Sequence, residues 1–478
     1  MQQTGLLNRI TGSRFGKRYI GDKKFFAAVL AIIVPVIIQN SISNFVGLLD
    51  NIMVGAVGTE QMSGVSISNQ LIFVFMLCVF GAMAGPGIFA AQYTGAGDDK
   101  GVRNCFRLSM YIAFMVSGIA IAVFALFKEQ LLSLYINDVD GTGGAEETLS
   151  AGMEYMEVML WGLLPFAVTT AYASILRVTG ETKLPMIAAV TAVLINLVFN
   201  YMFIFGHFGF SEMKAKGAAI ATVISRYLEM LIVVYISHRR LKKSGKYKFL
   251  DGAYADIRVP MKVVKNISAK GAPLLVNEFF WSLGVTVLAQ QYSLRGLNVV
   301  AANTVASTIS NLFNVLFLSM GTAASVMVGA SLGANDAEGA KLNARRIIAF
   351  EIFICVTVGA VMFALAPLMP ALFTETTADV RAIAASMIRV IACIMPINGF
   401  AHCSYFILRA GGKTFITLLF DAGYTWFIPV PLAFALVRLT GLEIIPIYLI
   451  CNAAEIIKVI LGYILLKKGI WINNIVAD

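Results

Sequence analysis

Asp50 lies in an apolar run with no other Asp, Glu, Lys or Arg between Lys24 and Glu60. An ionisable group in hydrocarbon costs about 2.5–3.5 kcal/mol on insertion scales, so one kept at such depth is expected to have a use. A buried carboxyl can take up and release a proton. Its oxygens also suit sodium, a hard cation, as oxygen donors suit calcium and magnesium. The structural alternative is an interfacial aspartate at the outer end of a long helix. Asn196 and Asn200 are four residues apart in another apolar run and share a helix face. Such amides hydrogen-bond a neighbouring helix, or orient and ligate at the Asp50 site. Glu278 is the counterpart later in the chain, the only Asp, Glu, Lys or Arg between Lys270 and Arg295. Pro273 before it can bend the helix and free backbone carbonyls. Glu278 is read as a second cation or substrate contact, against a helix-end glutamate paired with a loop base. Asp421 is a further intramembrane carboxyl that could line a cavity. Arg226 with Glu229, and Glu455 with Lys458, are three apart and can pair on one helix face; both sets are expected to be mainly structural. Arg177 and Arg409 are expected to cap helix ends or meet lipid phosphate.

The elements that position these groups follow from composition. The chain has 478 residues, 58% hydrophobic and 13% charged, with a mean hydropathy of +0.79. Soluble domains carry about 25% charged residues. The deficit excludes a disordered chain, a disulfide scaffold and most soluble enzymes. A membrane-spanning helix needs roughly 20 apolar residues, and twelve such runs are present: 25–59, 62–93, 104–127, 151–177, 184–206, 217–237, 267–294, 299–332, 346–372, 382–408, 415–437 and 443–466. The expected fold is therefore an all-α polytopic membrane protein of twelve transmembrane helices. The six cysteines lie in apolar runs without a C-x-x-C pair, and only three histidines occur, so no metal site or catalytic constellation is expected. The N-terminus does not read as a cleavable signal, since 24 polar and basic residues precede a run too long for one.

The net charge of +10 sits between the runs, which fits the positive-inside rule and not nucleic-acid binding. Basic residues mark the N-terminal segment (Arg9, Arg14, Lys17, Arg18, Lys23, Lys24), the stretch from His238 to Lys265, and Lys467–Lys468. An even number of spans puts all three on one side, expected to be cytoplasmic. The acidic segment with Asp138, Asp140, Glu146 and Glu147 falls on the other. The expected organisation is a basic cytoplasmic segment at 1–24, an N-lobe of six helices at 25–237, a basic linker at 238–266, a C-lobe of six helices at 267–466, and a cytoplasmic tail at 467–478.

The halves repeat. Ile175-Leu176-Arg177, Gly180 and Thr182 recur 232 residues on as Ile407-Leu408-Arg409, Gly412 and Thr414. Gly95-Ala96-Gly97-Asp98 recurs 238 residues on as Gly333-Ala334-Asn335-Asp336. Six spans per half makes these parallel, pseudo-symmetric lobes, an arrangement suited to alternating access.

Over nearly its whole length the sequence resembles the multidrug and toxic compound extrusion transporters, of the multidrug, oligosaccharidyl-lipid and polysaccharide flippase superfamily. Pro35, Gln39 and Leu49-Asp50-Asn51-Ile52-Met53-Val54-Gly55 resemble that family's first helix. Leu176-Arg177-Val178-Thr179-Gly180 with Thr182-Lys183 is similar to its fourth-to-fifth helix turn. Ile195-Asn196-Leu197-Val198-Phe199-Asn200, then Phe203-Ile204-Phe205-Gly206, is similar to its fifth helix, and Gly217-Ala218-Ala219-Ile220-Ala221-Thr222 to the opening of its sixth. Pro273, Asn277-Glu278 and Trp281 resemble the seventh helix of one bacterial branch. The resemblance implies an inner-membrane antiporter, not an enzyme, that exports drugs and other cationic amphiphiles against an inward proton or sodium gradient, with membrane lipids as surroundings and no other cofactor. It implies a cation-coupling role for Asp50. Many relatives carry an aspartate where Asn200 stands, and some an acid where Asn398 stands, so each lobe is left with fewer carboxylates. Gln39, Arg226 and Asp421 are weaker candidates. The rival reading is a lipid-linked saccharide flippase, which needs a wide cationic cavity; only Arg226 and Lys458 stand out as bases within the spans. The 33 Phe, 21 Met, 16 Tyr and 4 Trp would suit a promiscuous cation-binding cavity.

Overall fold

The computed structural model describes residues 19–136, 144–245, 247–373 and 376–477. Arg9, Arg14, Lys17 and Arg18, and Asp138 and Asp140, lie outside the described residues. Twelve helices are long and apolar enough to cross a membrane, and the described residues contain no strand. They are α1 (Lys23–Gly55), α2 (Thr59–Ala96), α3 (Asp99–Ser133), α4 (Gly144–Val178), α5 (Lys183–Phe205), α6 (Lys214–Ser244), α7 (Met261–Ser293), α8 (Leu297–Gly333), α9 (Ala337–Leu365), α10 (Ala378–Ala410), α11 (Thr414–Leu439) and α12 (Ile444–Lys468). In lipid every backbone polar group must be satisfied internally, which is why uninterrupted apolar sequence of this length becomes helix.

By contacts the chain forms two compact units. One holds Pro35–Ala90 and Asp99–Ile267; the other holds the chain up to Val34, Ala91–Asp98 and the chain from Ser268. In the first, α4 packs against α3 and α6, around a core that includes Phe75, Val79, Met156, Leu163 and Ile204. In the second, α10 packs against α9 and α12, the partners six helices on, around Ile309, Met362, Met387, Ile388 and Ile447. Small residues let these helices approach closely, as expected where lipid gives apolar side chains little reason to associate. A β-carbon on Gly64 would lie 2.6 Å from the Thr148 carbonyl oxygen. Ser68 Oγ, one turn on, donates to the Gly64 and Gly152 carbonyls at 2.9 and 3.0 Å.

The sequence repeat has a backbone explanation. Gly180 (φ +86°) and Gly412 (φ +71°) both take the left-handed conformation that closes α4 and α10. The matching hydrogen bonds are Glu181 N to Leu176 O (2.8 Å) and Lys413 N to Leu408 O (3.2 Å), the six-to-one closure of a helix end. Gly97 (φ +71°) and Asn335 (φ +58°) do the same for α2 and α8. The residue differs there, but glycine and asparagine are the two types that visit this region readily.

The segments outside the spans are folded onto the helices. Arg103 and Arg107 of α3 donate to the carbonyls of Lys248, Phe249, Gly252, Ala253 and Arg258. Tyr111 donates to the Ile257 carbonyl, and the Tyr172 and Tyr254 hydroxyls share a hydrogen bond. Tyr247 donates to Glu181 Oε2 at 2.6 Å, and burial pushes its phenol up to about 12, so it serves as a neutral donor. Past α12, Gln92 of α2 donates to the Ala410 and Asn473 carbonyls (2.9 and 3.1 Å) and accepts from the Ile475 amide (2.8 Å).

Candidate functional site

The structure brings Asp50 together with both asparagines. Asn200 Nδ2 donates to Asp50 Oδ1 at 2.5 Å. The hydrogen-bonding pattern turns the Asn196 amide nitrogen toward Asp50, 3.2 Å from each carboxylate oxygen, while its oxygen accepts from Thr222 Oγ1 of α6 at 3.3 Å. The four-residue spacing on α5 makes this possible, since both amides leave the same helix face. Asn196 and Asn200 are buried, and Asn200 Oδ1 has no hydrogen-bond partner among the described residues. The site therefore offers one carboxylate, two amide donors and an unclaimed amide oxygen. That donor set suits either a proton on Asp50 or a hard cation.

Around it, Arg226 and Tyr155 lie close enough to Asp50 to interact electrostatically. Arg226 pairs with Glu229 at 3.3 Å and stacks over the Phe166 ring at 4.9 Å. Tyr155 donates to Asn69 Oδ1 at 3.1 Å. Gln39 bonds elsewhere, accepting from Arg177 Nη2 at 3.1 Å. Arg177 is thus engaged with a neighbouring span, beyond the end-capping expected of it.

In the other unit Glu278 sits at the end of a longer network. Tyr405 of α10 donates to Glu278 Oε1 at 3.3 Å. Asn277 Nδ2 lies 3.3 Å from the Tyr405 hydroxyl and 3.1 Å from Asp421 Oδ2, donating to both. Asn277 Oδ1 accepts from the Ala422 amide at 3.1 Å. Asp421 Oδ1 accepts from Lys458 Nζ at 2.6 Å. Lys458 therefore pairs across helices with Asp421, not along its own helix with Glu455; this corrects the pairing expected from spacing. The cause is local: residues Leu419–Gly423 of α11 form a π-turn, which holds an extra residue and re-aims the side chains around it. Asn277 satisfies a backbone donor within that turn. Asn398 makes no hydrogen bond to Glu278, and its amide oxygen is buried without a partner among the described residues.

Two groups within the spans, one buried and one half-buried, carry no reading in the sequence analysis. Glu351 of α9 is 1% exposed and bonds the Cys403 thiol of α10. Its signal was present, since it is the only Asp, Glu, Lys or Arg between Arg346 and Glu375. His402 of α10 lies against Phe317, Tyr405 and Phe406. The described residues contain no group of three or more His, Cys, Asp or Glu able to hold a metal ion.

The MatE family model matches residues 35–202 and 273–435, two stretches that open on Pro35 and Pro273. A protein of Thermotoga maritima named probable multidrug resistance protein NorM is 24% identical over 445 residues, covering 93% of this chain and 92% of its own. The multidrug resistance protein MdtK of Proteus mirabilis is 25% identical over 73% of each chain. Among solved structures, an outward-facing multidrug resistance MATE family transporter aligns over 93% of this chain and 95% of its own, with a TM-score of 0.81 and 22% identity. A MATE transporter crystallised with MaL6 aligns with the same TM-score over 93% and 96%.

Proposed function

The chain belongs to the MatE family of multidrug and toxic compound extrusion transporters, and on that premise we propose that it is a cation-coupled antiporter exporting lipophilic organic cations by alternating access. As a member of that family it is a multi-pass membrane transporter and not an enzyme. Its place in this reading is the bacterial inner membrane, with both termini cytoplasmic.

The observation that carries the reading is the Asp50 carboxylate held by two buried amides, Asn196 and Asn200, in the interior of one unit. A carboxylate fixed this way has few uses except to bind a cation, whether a proton or sodium. If sodium is the ion, Asp50 and the Asn200 amide oxygen are the donors this chain would supply. Ion entry from outside would change the charge at Asp50 and the hydrogen bonds to α5, favouring release of the organic cation. Return to the inward-facing state would release the ion.

The flippase reading is less well supported. The intramembrane bases that would bind a pyrophosphate, Arg226 and Lys458, are both engaged with carboxylates.

The test is ethidium efflux from energised vesicles carrying wild type or Asp50→Asn. The variant is expected to lose efflux; unimpaired efflux removes Asp50 from the mechanism. Ethidium-triggered proton release from purified protein, with and without sodium, assigns the ion. Release that is unchanged by sodium and reduced in Asp50→Asn indicates proton coupling at Asp50.

A further inference from the structure

The Lys458 ammonium occupies a cation-binding cage. Asp421 Oδ1 lies 2.6 Å from it, and the rings of Phe420 and Tyr424 lie 5.6 and 5.3 Å away. All three cage residues belong to α11 within or beside the π-turn, held there by Asn277 through the Ala422 amide. A carboxylate flanked by aromatic faces is the general chemistry for recognising an ammonium group. Here the ammonium arrives on a flexible four-carbon stem.

A second acceptor stands within reach. Glu455 is three residues before Lys458, on the same face of α12, and close enough to act on it electrostatically. Among the described residues Glu455 makes no ion pair and no side-chain hydrogen bond, while Asp421 has both Lys458 and Asn277. The other groups close enough to act on these residues are Glu278 from α7, His402 and Tyr405 from α10, with Arg409 beside Glu278 and His402, and Tyr424 from α11.

We propose that Asp421, Phe420 and Tyr424 form a subsite for the ammonium group of an exported organic cation, and that Lys458 is its built-in competitor, swinging to Glu455 when the substrate enters. The proposal rests on the export of organic cations put forward above and adds the place where their charge is read. Charge balance gives it a further consequence. While Lys458 is on Asp421, an unpaired carboxyl within a span is held most cheaply as the neutral acid. When Lys458 arrives, the Glu455 O–H bond breaks, the proton passes to water, and the carboxylate pairs with the ammonium. One organic cation enters the network and one proton leaves it, so its net charge is unchanged.

The test uses purified full-length protein and ethidium, reading binding by fluorescence anisotropy and proton release with a pH dye in weak buffer. Glu455→Gln keeps the Asp421–Lys458 pair and so keeps the fold. It is expected to bind ethidium about tenfold more weakly, because Lys458 loses its alternative partner, and to release one proton fewer per ethidium bound. Lys458→Met, where it folds, is expected to bind ethidium more tightly than wild type. A Glu455→Gln protein with wild-type affinity or wild-type proton release overturns the proposal, as does a folded Lys458→Met protein that binds no more tightly. Wild-type protein that binds no ethidium instead counts against the export reading itself, so the two failures are distinguishable.

Discussion

Ala91 of α2 and Gly329 of α8 face each other so closely that a β-carbon on Gly329 would lie 2.8 Å from that of Ala91. The contact is its own image under the 238-residue repeat. On either side of it lies a reciprocal pair: a β-carbon on Gly95 would overlap the Ala330 carbonyl, and one on Gly333 would overlap the Gln92 carbonyl. The ends of α2 and α8 thus meet about a local pseudo-two-fold axis with backbone against backbone. Gly333→Ala should force these helix ends apart and destabilise by about 1–3 kcal/mol, as overpacking does in a filled core. Thermal unfolding in detergent reads this. Gly87→Ala on α2, where a β-carbon meets nothing within 4 Å, should leave the midpoint within about 0.5 kcal/mol of wild type.

Asn200 supplies the short hydrogen bond to Asp50. Asn200→Ala removes one amide donor from a partly buried carboxylate, which should cost about 1–3 kcal/mol of stability. Ethidium efflux should fall by about tenfold or more while protein still reaches the membrane, since the coupling carboxylate loses its fixed orientation. Efflux per molecule of inserted protein separates the two effects. Retained efflux would reduce Asn200 to a packing residue.

Breaking the Asp421–Lys458 pair on one side leaves a charge unpaired among helices. Lys458→Met should therefore destabilise by about 3–5 kcal/mol, since Asp421 keeps only the neutral Asn277. Adding Asp421→Asn should recover much of that, because the double variant buries neither charge of the pair. The comparison is a double-mutant cycle on unfolding midpoints, and simple additivity would show that the pair is not coupled.

Gln92 makes three hydrogen bonds to the groups that close the structure beyond α12 and α10. Gln92→Ala should loosen the segment from Trp471 to Val476 without disturbing the spans. Limited proteolysis should cleave there sooner in the variant, and mass spectrometry of the fragments reports where.

Much of this was legible in the sequence, for physical reasons. Twelve spans show because lipid demands about 20 apolar residues each. The repeat shows because left-handed helix ends accept few residue types, so Gly180 and Gly412 mark equivalent places. Asp50 and the asparagine pair could be joined because a lone acid and a four-residue spacing each have a geometric meaning. The partner of Lys458 was hidden. Spacing rules describe a regular α-helix, and α11 departs from one at Asp421, so the pairing across helices has no local signature. Glu351 is equally isolated in an apolar run, with the same sequence signal as Glu278.

The hydrogen bonds of Gln92 also bear on the order in which the molecule is made. Gln92 is fully buried, yet its amide partners, Asn473 and Ile475, are synthesised after all twelve helices. Until then the Gln92 side chain has only the Ala410 carbonyl of α10 for its nitrogen and no partner for its oxygen. The early half is completed only by residues made after the late half, so a chain stalled partway leaves a polar gap that quality control can recognise.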